Sequence, residues 1–244
     1  MTRKLLLAVF AAASAASAAP VHHIRGDAQE AIYHRGVCAH GAGQDAIDSC
    51  TFMIRTVAMS ENDFAVSFVN RGVAYQKLGN YKWALFDFNQ ALTLVPNYAV
   101  AFYDRGIAYD MMGRHDLAIA DYDKALENNP GFERAILNRG MAYADIGKLD
   151  SALADYNAYA QLKPDDTQAI NDRGVIQLRL ANYPAAIGDF NTVLAANPKI
   201  PAALYARGVA RLKTGDTSGH ADLIAAAALD PKIAQEYAAI GVKP

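Results

Sequence analysis

The segment NRGVAYQKLGNYKWALFDFNQALTLVP, Asn70 to Pro96, recurs downstream with its punctuation intact. The copies DRGIAYDMMGRHDLAIADYDKALENNP, NRGMAYADIGKLDSALADYNAYAQLKP and DRGVIQLRLANYPAAIGDFNTVLAANP begin at Asp104, Asn138 and Asp172. A degenerate fifth copy begins at Ala206 with ARGVARLKTGD. Gly72, Gly106, Gly140, Gly174 and Gly208 follow one another at intervals of 34 residues. A fixed period of this length predicts a stack of supersecondary units, each burying its apolar face against the next.

Each unit carries two helical stripes with a break between them. Phe68, Gly72 and Tyr75 stand at i, i+4 and i+7, which is one helix face. After Leu78-Gly79-Asn80 a second face runs through Ala84, Phe88 and Ala91. Gly79 is placed to end the first helix in the left-handed region, and Pro96 to follow the end of the second. Gly72 and Ala84 are small residues on inward faces, so the helices can approach closely there.

These columns, Gly-Ala-Tyr, turn Gly, Ala, Phe/Tyr, Ala and Pro, resemble the tetratricopeptide repeat (TPR). The likeness is close from Ala65 to Pro231 and looser from Gln29. It implies an all-α, right-handed superhelical solenoid of antiparallel helix pairs. The expected divisions are repeats at 65–98, 99–132, 133–166 and 167–200, a degenerate repeat at 201–231 and a closing helix at 232–244. Departures fall at Tyr159, which replaces an Ala91-type residue, at Ile176-Gln177 in place of Ala-Tyr, and at His220, near the Ala84 column.

Residues 1–18 read as a secretory signal peptide. Arg3 and Lys4 precede an apolar run from Leu5 to Ala13, and Ala16-Ser17-Ala18 supplies small residues for cleavage. The expectation is a mature periplasmic or secreted protein, not inserted in a membrane. Residues 19–28 form a linker in which His22 and His23 have no further ligands at metal-site spacing. Residues 29–63 make an atypical N-terminal unit, its turn shortened by two residues. Cys38 and Cys50 fall in facing columns of that unit and read as a disulfide in an oxidising compartment. Arg55 to Asp63 reads as an extended connector. Past Pro231, Ile233, Tyr237 and Ile240 share one helix face.

Two columns call for a physical reason. Arg35, Arg71, Arg105, Arg139, Arg173 and Arg207 precede the repeat glycines. Asp48, Asp87, Asp121, Asp155, Asp189 and Asp222 sit mid-way along the second helices. The arginines could bind external anions, but a buried arginine without a partner is costly, which favours an internal Arg–Asp ladder. The other column lies on the first helices, which line the concave wall in the family. The candidate partner groove comprises Val69, Asn70, Val73, Tyr103, Asp104, Ile107, Leu137, Asn138, Met141, Asn171, Asp172, Val175 and Tyr205.

The chain carries a net charge of -2 and no Lys/Arg cluster, which argues against a nucleic-acid partner. The residues following the repeat glycines, Val73, Ile107 and Met141, exclude the cationic clamp by which some members of the family hold acidic tails. No catalytic or cofactor motif appears; the string Gly215-Asp-Thr-Ser-Gly219 occupies an interhelical turn. The reading is a non-catalytic module for a protein or peptide partner, without metal or cofactor. A self-associating, homo-oligomeric building block is the alternative.

Overall fold

A computed structural model describes residues 26–243. Residues 1–18, read as a signal peptide, most of the expected linker and His22-His23 lie outside the described residues. Thirteen α-helices and no strand occur among those described. They pair as successive antiparallel hairpins: α1 (Gly26–His40) with α2 (Gly43–Thr56), α3 (Glu61–Lys77) with α4 (Tyr81–Leu94), and α5 (Ala99–Met111) with α6 (His115–Asn128). The series continues with α7 (Glu133–Asp145) and α8 (Leu149–Leu162), α9 (Thr167–Arg179) and α10 (Tyr183–Ala196), and α11 (Pro201–Lys213) and α12 (Gly219–Leu229). A short α13 (Ile233–Ala239) closes the stack.

The turn chemistry repeats with the sequence. In the second hairpin Gly79 adopts φ 75°, its N–H donates to Gln76 O at 2.9 Å, and Asn80 N–H donates to Tyr75 O at 2.8 Å. Those two bonds satisfy carbonyls left open by the helix end. Gly113, Gly147 and Gly215 repeat the positive φ, and in the fourth copy Ala181 adopts it at φ 61° despite its Cβ. At Gly72, Gly106 and Gly174 a tight contact with an aromatic ring leaves no room for a side chain. A Cβ on Gly72 would come within 2.6 Å of the Phe88 ring, and one on Gly106 within 2.7 Å of Tyr122.

Packing is nearest-neighbour. Ala84, Phe88 and Ala91 are fully buried between the first helix of their own hairpin and the next hairpin. First helices of successive hairpins touch, whereas second helices are held further apart, so the stack curves with the first helices on its inner wall. Tyr159 is buried in a column held by Ala91, Ala125 and Val193 in the other copies, and its hydroxyl donates to Asp166 Oδ2 at 2.9 Å. Asp166 in turn accepts the N–H groups of Gln168 and Ala169, capping α9.

Three expectations need correction. The Arg55–Asp63 connector is shorter than read, because Ser60 starts α3: its Oγ accepts Asp63 N–H at 3.1 Å and donates to Asp63 Oδ2 at 2.8 Å. In the last hairpin Gly219, not His220, takes the small inward position against Gly208, and His220 is exposed. At the C-terminus Ile233 and Tyr237 are buried but Ile240 is not. Gly241, at φ 82°, turns the chain back so that Val242 covers the core instead.

Candidate functional site

The arginine column is spent internally. Arg71 donates from Nε to Asp87 Oδ2 and from Nη2 to Asp87 Oδ1, both at 2.8 Å. Arg105 holds Asp121 at 2.7 and 2.6 Å, Arg139 holds Asp155 at 2.8 and 2.6 Å, and Arg173 holds Asp189 at 2.9 and 2.6 Å. Arg207 makes the same fork with Asp222, 2.8 Å on each arm. The planar guanidinium suits this bidentate geometry. Burial lifts the Asp87 carboxyl above its ordinary pKa against the lowering pull of Arg71. The hydrogen bonds that Arg105, Arg139 and Arg173 donate to Asp121, Asp155 and Asp189 hold these guanidinium groups above their ordinary pKa.

A third contact escaped the sequence reading. The free Nη1 of each arginine reaches back to the second helix of the preceding hairpin. Arg71 meets Thr51 at 2.9 Å, Arg105 meets Asn89 at 2.5 Å, Arg139 meets Asp123 at 2.6 Å and Arg207 meets Asn191 at 2.9 Å. Arg173 approaches Asn157 more loosely, at 3.4 Å. The signal was present as an Asn or Asp two residues after Asp87, Asp121, Asp155 and Asp189, in the strings DFN, DYD, DYN and DFN. Each arginine therefore joins three helices of two adjacent hairpins.

The ladder does not extend to the first hairpin, as Arg35 and Asp48 were expected to do. Both are exposed. The shortened turn shifts the register, so Ser49 occupies the aspartate column; it is buried and bonded to His34 Nδ1 at 2.9 Å. Cys38 and Cys50 are joined across the same hairpin, with Cα atoms 4.7 Å apart.

The inner wall is only partly open. Val69 (4% exposed) and Tyr205 (5% exposed) are core residues, contrary to their place in the expected groove. Val69 packs among Ala65, Phe68 and neighbouring side chains, and Tyr205 lies under Tyr237 of α13, with ring centroids 5.1 Å apart. Tyr103 is not a free anchor: it packs on Phe132 at 4.7 Å, and its hydroxyl accepts from Asn138 Nδ2 at 3.4 Å. Leu137, Val73, Ile107 and Val175 are half-buried against the hairpin cores. Met141, at 44% exposed, is the most open apolar residue of the expected set.

Asn70, Asp104, Asn138 and Asp172 occupy one column along this wall. Asp172 accepts from Gln168 Nε2 at 2.9 Å and from Asn171 Nδ2 at 3.4 Å, while Asn171 Oδ1 is buried without a partner. Burial pushes both carboxyls up. For Asp104 the rise reaches about 7, opposed only at Coulombic range by Arg134 and Lys77. No side chain among the described residues donates a hydrogen bond to Asp104. A half-buried carboxylate of this kind gains stability from any donor brought to it.

A curved stack of helical hairpins with an inner wall of first helices defines the class: an α-solenoid. Models of the tetratricopeptide repeat match residues 65–98 and 99–132, 133–166, and 171–235. The chain belongs to the tetratricopeptide repeat family. Among solved structures it is similar to YrrB, described as "a TPR protein with an unusual peptide-binding site". That match has 20% identity and TM-score 0.67, covering 73% of this chain and 92% of YrrB. It is also similar to MamA, with 18% identity, TM-score 0.64, and coverage of 72% and 96%. MamA residues 41-end from Desulfovibrio magneticus RS-1 match at 19% identity and TM-score 0.64, covering 70% and 97%. No curated protein sequence matches the chain. At these identities the likeness is one of fold.

Proposed function

We propose that the protein is a non-catalytic scaffold of the cell envelope that holds a segment of a partner protein against the inner wall of its first helices. The observation that carries this reading is Asp104, a half-buried carboxylate on that wall with no side-chain donor of its own. A partner's backbone amide or ammonium group supplies the missing donor. Met141, exposed one hairpin further on, offers the segment a deformable apolar contact. Asn70 and Asn138 flank Asp104 in the same column, and their amides both donate and accept. Envelope location rests on the signal-like residues 1–18 and on the pairing of the chain's cysteines. Among the described residues no helix is long and apolar enough to cross a membrane.

The test is capture from envelope extract on immobilised protein, followed by affinity measurement with the captured partner. Asp104→Asn with Met141→Glu should weaken binding at least about tenfold without loss of fold. Trp83→Ala, which removes an exposed ring from a second helix, should leave binding unchanged. The opposite pattern would move the interface to the outer face. There Trp83 and Phe86 are exposed, and self-association becomes the better account.

A further inference from the structure

Three columns of the repeat change character at one junction. The position held by Gln76, Ala144 and Leu178 carries Asp110, and the one held by Tyr81, Leu149 and Tyr183 carries His115. The position held by Lys77, Met111 and Arg179 carries Asp145. Asp110 lies in the last turn of α5, His115 is the first residue of α6, and Asp145 ends α7 in the next hairpin. The ligand atoms of all three lie within 4.8 Å of one another. Asp110 Oδ1 is 2.7 Å from His115 Nδ1, and both side chains are half-buried, whereas Asp145 is exposed. A crevice of about 250 Å³ runs beside His115, between Arg114 and Ile146.

A second observation concerns Tyr122, whose phenol feels the charge of Asp110. Tyr122 is fully buried, yet its hydroxyl has no hydrogen-bond partner. Burial, and next the charge of Asp110, push the pKa of this phenol up, while Asn138 pulls it down. A buried donor left without a partner calls for an explanation, and an outer partner of a metal ligand or of a metal-bound water is one.

We propose that Asp110, His115 and Asp145 form a binding site for a divalent transition-metal ion of the zinc class, joining the α5–α6 hairpin to α7. One imidazole and two carboxylates suit zinc, cobalt or manganese better than magnesium, which prefers an all-oxygen octahedron. Two carboxylates balance the charge of a dication, and three protein ligands leave coordination positions for water. Because ligands come from two hairpins, a bound ion adds a nearest-neighbour tie beside that of Arg139 and raises the stability of the array. A simple His–Asp pair closing the α5–α6 turn would bind no metal.

The experiment titrates the chelator-treated full chain with Co²⁺ and then Zn²⁺, read by calorimetry and by visible absorption. One Co²⁺ per chain with ligand-field bands, displaced by Zn²⁺ and accompanied by a rise in Tm, is expected. His115→Tyr and Asp145→Arg install residues that neighbouring copies carry in those columns, so both should fold. Each should weaken binding at least about tenfold. Stoichiometric binding that persists in both variants would come from other histidines and overturns the site. Absence of saturable binding up to ~1 mM also overturns it.

Discussion

Arg139 illustrates what a residue contributes in this chain. It holds Asp155 within its own hairpin and Asp123 in the preceding one. Replacing it with alanine leaves the buried Asp155 without its counter-ion, at a cost of roughly 2–4 kcal/mol. Arg139→Met combined with Asp155→Leu removes both charges and should cost much less, because the desolvation penalty disappears with them. Urea titrations of the single and double variants measure this, and equal losses would show that the two side chains are not coupled. Asp104 makes the opposite case. Its folded pKa of about 7 lies above the ordinary 3.8, so the folded state binds this proton more tightly. The resulting stability is fully present below pH ~4 and is lost as pH rises through ~7. Asp104→Asn should therefore melt higher than the parent at pH 8, with the difference shrinking toward pH 4. A constant difference across that range would remove Asp104 as the source.

At the scale of the element, the N-terminal hairpin stands apart. It lacks the arginine clamp, and its helices are tied by Cys38–Cys50 across a short loop. Reduction should destabilise that hairpin by roughly 2–3 kcal/mol in the chain-entropy account. Hydrogen exchange on reduced protein should then show faster exchange in α1 and α2 and little change from α5 onward. Uniform acceleration along the chain would mean that the whole array unfolds as one unit. That first hairpin was the hardest to read from sequence. A two-residue contraction of its turn moved Ser49 into the aspartate column, whereas Asp48 is the residue that looks right by identity.

For the whole molecule, the two ends set the limits of a nearest-neighbour stack. Tyr237 of α13 covers Tyr205 and donates its hydroxyl to Ala202 O at 3.0 Å. Tyr237→Ala removes that cover and should cost about 3–4 kcal/mol, with exchange rising first in α11 and α12. Loss appearing first at α3 and α4 would contradict a C-terminal cap. The same dependence on neighbours explains why the candidate groove was only half legible. Column membership told which residues share a helix face but not which of them the next hairpin covers.

The sequence by itself determined the period, the helix pairs, the turn glycines, the Arg–Asp pairing and the facing cysteines. These are local or one-period relations, and helix geometry converts spacing into contact directly. Only the tertiary structure decided that Val69 and Tyr205 are core, that each arginine also reaches the hairpin before it, and that Asp104 stays without a donor. The convergence of Asp110, His115 and Asp145 likewise depended on it. Those outcomes turn on the distance and angle between successive hairpins. Many side chains set that relation together, and no single spacing in the chain encodes it.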